Sequence, residues 1–131
     1  MPTNYQEADA GWEAEIQNPD SVEALSWLQG PAGVMRTLSG GDGSDSALTG
    51  DAALMFVQHL YQLGAKRVTA LHIEGYEGQE EHQDTDSLVV ELPEEAEPRK
   101  QIFDWKASFD EESGWDTEPD EGQKYMLVWW P

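Results

Sequence analysis

The 131-residue chain carries 27 acidic against 7 basic side chains and 3 histidines, a formal net charge of −20. A field of that sign repels phosphate backbones and anionic lipid, so neither direct nucleic-acid binding nor attachment to a membrane surface is expected. With 38% hydrophobic residues and 12 glycines the chain has the apolar material for one ordinary core, and with no cysteine it can form neither disulfides nor thiolate metal sites.

Residues 1–17 are polar with scattered apolar side chains (Tyr5, Trp12, Ile16) and read as an extended arm whose Trp12 and Ile16 dock on a single α+β domain spanning 18–131. The opening stretch MPTNYQEADAGWEAEI has neither a basic n-region nor an apolar h-region, and no apolar run approaches the roughly 18 residues of a membrane helix. A cytoplasmic location is therefore the expectation. Asn18, Pro19 and Asp20 have the chemistry of a helix start, and Val22, Leu25 and Leu28 give an apolar edge, which predicts a short helix over 19–29. VMRTL (34–38) alternates as a first strand before the loop SGGDGSDSALTGD.

The stretch from Thr49 to Ile73 carries the clearest signal. Ala53, Phe56, Val57, Leu60 and Leu63 form one apolar stripe at helical period, with Thr49 as N-cap, Asp51 in the first turn and Gly64 as the left-handed residue that ends the helix. KRVTALHI follows at once, apolar or β-branched on both parities, as in a strand covered on both faces. EGYEGQEEHQDTD (74–86) has six carboxylates and no lysine or arginine, and reads as a solvated acidic connection. SLVVELP is a strand with Leu88, Val90 and Leu92 on its buried face, forming a hairpin with its predecessor. EEAEPRKQIFDWKASF places Ile102, Trp105 and Phe109 on one helical stripe; DEESGWDTEPDEG is a second acidic loop; and QKYMLVWW is a last strand, apolar on both faces. Strand phase puts Trp129 in the core and leaves Trp130 at the chain end.

From residue 34 the order is βαββαβ, which predicts a ferredoxin-like two-layer sandwich: a sheet of three or four strands with helices on one face, preceded by the short N-terminal helix.

For chemistry, GGDGSDS lacks the Lys-Ser/Thr pair of a phosphate loop, and Asp42, Asp45 and Asp51 would repel a phosphate. Asp42, Ser44 and Ser46 have alternate spacing, but Ala47 stands where an EF-hand needs glycine and no chelating glutamate follows. His72, Glu74, His82, Asp84 and Asp86 are the one group with metal-ligand chemistry, since a hairpin would bring them together, although an acidic loop with incidental histidines explains them as well. No serine sits in a nucleophile-elbow context, carboxylate pairs are too easily found among 27 acids to mean anything, and no motif calls for a cofactor. The charge is uneven: residues 1–65 carry nine acids and one arginine, residues 66–131 eighteen acids and six basic residues.

Three functional expectations follow. The first is a protein-interaction or accessory module that meets a basic protein partner through Glu74, Glu77, Glu80, Glu81, Asp84, Asp86 and Trp115. The second is a small enzyme or metal-dependent binding protein using the 72–86 hairpin. The third is a salt-adapted domain whose acidity is unrelated to its function.

Overall fold

Leu71 and Ser87 are the last partners of one ladder, and Glu74 and Asp84 are the first partners of the next. This is seen in a computed structural model that describes residues 4–19, 21–29, 33, 35–38, 48–76, 78–113 and 119–130. Strand β4 (Arg67–Leu71) pairs antiparallel with β7 (Ser87–Glu91), while β5 (Glu74–Tyr76) pairs antiparallel with β6 (Gln79–Thr85). Both ladders keep the same register up to a shift at Gly75/Tyr76, so Arg67 to Glu91 is a single two-stranded ribbon with a corner in it. At the corner His72 takes a left-handed φ of 51° and Asp86 separates the two strands of the return limb.

Each half of the ribbon seeds a sheet. The first has the order β1-β4-β7-β8, with β1 (Val22–Glu23) and β8 (Tyr125–Trp129) antiparallel to their neighbours. The second has the order β3-β2-β6-β5, in which β2 (Arg36–Leu38) runs parallel to β6 and antiparallel to β3 (Leu48–Thr49). The class is α+β, with four helices and two sheets among the described residues. The ferredoxin-like sandwich is not confirmed: the strand at 36–38 joins the second sheet instead of lying beside β4 and β7, and β8 extends the meander. The segment 74–86, expected as a loop, is the β5–β6 hairpin, and its polar side chains hid strands held by main-chain pairing with β2 as well as with each other.

Helix α3 (Asp51–Leu63) buries Ala53, Val57 and Leu60 and packs Phe56 and Leu63 against the same core, as the stripe predicts. Its N-cap is Gly50, with φ 60° and no side-chain cap, because Thr49 is held in β3 with its hydroxyl 3.1 Å from that of Thr37. Its far end is a Schellman turn: Ala65 N donates to Leu60 O at 3.1 Å and Gly64 N to Tyr61 O at 3.0 Å, with Gly64 at φ 116°. Helix α4 (Ala96–Ser113) buries Ile102 and Phe103 on the same side of the first sheet. Phe56, Trp105, Phe109 and Trp130 close this core as an aromatic cluster, with centroids 5.2 to 6.0 Å apart and mostly edge-on, the favoured geometry for ring quadrupoles. Trp130 is fully buried and Trp129 is 40% exposed, the reverse of the sequence expectation. Both faces of β8 are apolar, so alternation alone could not say which faced the larger core.

The other face of the first sheet is covered by residues 4–16, expected as an extended arm and found as helix α1 (Asn4–Ile16). Trp12 and Ile16, one turn apart, pack with Leu127 on the cluster of Leu71, Val89 and Tyr125. Val89 is therefore as buried as Leu88 and Val90, and β7 is covered on both faces where one was expected. On the same side of α1, Asp9 accepts hydrogen bonds from Lys124 N (2.9 Å) and Tyr125 N (3.3 Å). Glu13 accepts from Lys124 Nζ (3.2 Å) and from the Tyr125 hydroxyl (3.3 Å). The expected helix 19–29 is shorter and begins later, as α2 (Ala24–Leu28), since Glu23 and not Asn18 caps it: its carboxylate accepts from Leu25 N at 2.9 Å and Ser26 N at 2.7 Å.

Two stability predictions follow. A Cβ on Gly64 would lie 2.7 Å from Pro98 Cβ in α4, at a left-handed φ. Gly64→Ala should thus cost about 2–4 kcal/mol, from backbone strain plus overpacking, read as a lowered urea midpoint at unchanged m-value; a midpoint equal to the native one would refute the turn. Asp9→Ala strands two strand amides and should cost about 1–3 kcal/mol, with hydrogen exchange in α1 rising selectively. Unaltered α1 protection would show that the helix is held by its apolar contacts alone.

Candidate functional site

The corner of the ribbon is pinned by short polar side chains. Thr85 Oγ1 donates to Leu71 O across the ribbon and accepts from Ser87 N at 3.1 Å. Asp86 accepts from Ser87 Oγ at 2.7 Å and from the Trp129 indole at 3.3 Å, and its backbone oxygen accepts from Trp130 N at 2.9 Å. Of the sequence-predicted partner-binding residues, Asp86 is therefore a structural acceptor at the corner. Glu74 and Asp84 face each other across the outer ladder, with Glu74 exposed and Asp84 half-buried. Glu80 and Glu81 lie on β6, and their side chains fall outside the described set, as Glu77 and Trp115 do entirely. The structure thus brings two of the seven, Glu74 and Asp84, together as a surface pair.

His72 Nε2 lies 3.5 Å from Glu15 of α1 and is exposed. Among the described residues no three histidine, aspartate or glutamate side chains converge where they could hold a metal ion. His59 is exposed on α3. No helix among the described residues is long and apolar enough to cross a membrane.

Where the inner and outer halves of the ribbon meet α2 and β2 there is a cavity of about 530 Å³ lined by Val22, Glu23, Ser26, Trp27, Arg36, Ile73 and Gln83. Its wall is locked by its own contacts. Arg36 and Gln83 are register neighbours in β2 and β6, the Trp27 indole N–H donates to Gln83 Oε1 at 2.9 Å, and Arg36 Nη1 donates to Trp27 O. The Arg36 guanidinium lies 5.6 Å from the centroid of the Trp27 ring. Sequence reasoning missed this group, although one signal was available: Arg36 is the only basic residue among the first 65.

Glu23 also lines the cavity. Both carboxylate oxygens are engaged, Oε2 also accepting from the Tyr61 hydroxyl at 2.6 Å, and Tyr61 Oη in turn accepts from Val68 N at 2.9 Å. Burial raises the Glu23 pKa, but the hydrogen bonds from Tyr61, Ser26 and Leu25 outweigh it and hold the carboxyl below the usual range. Burial, and then the hydrogen bond to Glu23, push Tyr61 up to about 12.

No protein-family model, curated protein or solved structure matches the chain, so the site is defined by its own geometry.

These two shifts predict stability at both ends of the pH scale. Folded Tyr61 keeps its proton where an unfolded tyrosine loses it, so its contribution is whole below about pH 10 and falls away as pH rises through about 12. Glu23 is depressed, so its contribution is present above the ordinary carboxyl value of 4.5 and is lost as pH falls through the folded value. Tyr61→Phe should flatten the alkaline limb of a denaturation-midpoint profile and also weaken the acid limb, because the phenol makes the strongest of the hydrogen bonds that hold Glu23 down. An alkaline limb as steep as the native one would remove Tyr61 as its source.

Proposed function

We propose that the protein is an interaction module that binds a basic protein segment through the outer half of its ribbon. The observation that carries this reading is the register of β5 with β6, which sets Glu74 directly opposite Asp84. The exposed Glu74 carboxylate on this edge offers negative charge that a partner's lysine or arginine can meet. β5 is also the edge strand of its sheet, so an extended partner segment has main-chain groups to pair with as well as charge. The net charge of −20 supplies steering toward such a partner.

The test is calorimetric titration with an alternating lysine–glycine peptide, comparing the native protein with Glu74→Gln. The variant should bind the peptide more weakly, because the charge that meets the lysines has been removed. Native binding should weaken as NaCl rises from about 0.1 to about 1 M, over which the Debye length falls from about 10 to about 3 Å. Affinity that is unchanged by the substitution, or indifferent to salt, would reject the ribbon as the recognition surface.

A further inference from the structure

We propose that the cavity between α2, β2 and the ribbon corner is a binding site for a small monocarboxylate with a flat or branched apolar body, with Arg36 receiving the carboxylate.

The argument begins with charge. Among the described residues five of the seven basic side chains have a carboxylate partner: Lys66 with Glu94, Arg99 with Asp120, Lys100 with Asp104, Lys106 with Asp110 and Lys124 with Glu13. Arg67 is exposed to water, which solvates it. Arg36 alone among these seven is half-buried with no carboxylate beside it, in a chain with almost four times as many acids as bases. Its contacts are a carbonyl oxygen and the face of an indole, and its Nε is fully buried with no hydrogen-bond partner. A cation withdrawn from water and answered only by neutral groups is costly, and the cost falls when an anion arrives.

The nearest acid does not fill the role. Glu23 lines the same cavity, but its two oxygens are occupied by Leu25 N, Ser26 N and the Tyr61 hydroxyl, which together hold it at the helix start. Fixing Gln83 Oε1 on the Trp27 indole leaves the Gln83 amide N–H groups as donors next to Arg36, and Ser26 adds a hydroxyl to the lining. Positive charge and neutral donors thus converge from β2, β6 and α2, the arrangement a carboxylate matches when the guanidinium meets it through its terminal nitrogens.

The remaining lining sets the rest of the ligand. Val22 is 36% exposed, Ile73 is half-buried, and the Trp27 ring contributes a flat wall. A volume of about 530 Å³ falls in the range of small-molecule sites, which are mostly apolar with a few fixed polar groups. A phosphate fits less well, since a second negative charge would sit close to Glu23 with one cation to answer it, and it would leave the apolar wall uncovered.

The experiment follows the Trp27 indole N–H and the Gln83 side-chain amide by nitrogen–proton NMR during titration with sodium benzoate. Methyl benzoate and inorganic phosphate serve as the neutral and non-apolar arms, and Arg67→Gln is the charge control. Benzoate should shift both signals saturably, methyl benzoate and phosphate should not, and Arg36→Gln should weaken benzoate by about tenfold or more while Arg67→Gln leaves it unchanged. Arg36→Lys, which keeps the charge and loses the planar fork, should weaken it by less, and it decides the matter if Arg36→Gln does not fold. Equal response to benzoate and its ester would reduce the site to an apolar cleft, equal response to phosphate would make it a general anion site, and no saturation or native affinity in both arginine variants would overturn the proposal.

Discussion

One continuous register running through a corner is the constraint on which the rest of the structure depends. Because β4 with β7 and β5 with β6 obey the same pairing, the chain from Arg67 to Glu91 leaves one sheet and enters the other without losing a residue from either limb. The corner must still satisfy main-chain groups at the point where the ladder stops: the Thr85 hydroxyl folds back on the backbone of Leu71 and Ser87, and the Asp86 carbonyl takes the Trp130 amide. Everything apolar is arranged around the inner half: α3 and α4 on one face, α1 on the other. Apart from Asp86 at the corner and Glu91 at the far end of β7, the acids that the ribbon carries are on the outer half and its turn.

The protein manages its charge by giving carboxylates neutral donors in place of scarce cations. Asp9 takes two strand amides, Glu23 takes two helix amides and a phenol, and Asp86 takes a hydroxyl and an indole. Asp120 has both kinds of partner. Arg99 grips it at 2.6 and 3.2 Å and Gly122 N donates at 3.0 Å, and the guanidinium, against a smaller effect of burial, holds the carboxyl below its usual range. Each of these acids joins segments distant in sequence or fixes an element end, so acidity here is partly a means of assembly. Lys106 with Asp110 is the buried exception, an ion pair within α4 in which Asp110 Oδ2 has no partner among the described residues.

What could be read from the sequence was what local chemistry decides. The α3 stripe, the Gly64 turn and a strand buried on both faces at 67–71 all lie within one continuous stretch whose signals agree. The failures share a cause, which is that a distant partner decided the outcome. The 74–86 hairpin has no apolar alternation and exists because β2 and the ribbon register recruit its backbone. Helix α1 has only Trp12 and Ile16 as an apolar signal in its last turns, and it is held by the amides of Lys124 and Tyr125 at the start of β8. The Arg36 cavity is assembled from α2, β2 and the ribbon, so no window of sequence contains it, and only the isolation of that arginine in an acidic half hinted at it.

The anchoring of α1 also bears on how the chain comes together during synthesis. Asp9 and Lys124 are 115 residues apart, and at roughly 5–20 residues per second the ribosome needs on the order of ten seconds to make what lies between them. Through that interval the ribbon can form from neighbouring residues, whereas the helix made first has no strand to receive it. Leu71 and Val89 are then open on the side that α1 later covers, and Trp12 and Ile16 stay in water. Folding is thus vectorially out of order: a helix made early is fastened by backbone made more than a hundred residues later, and until then one face of the first sheet stays open.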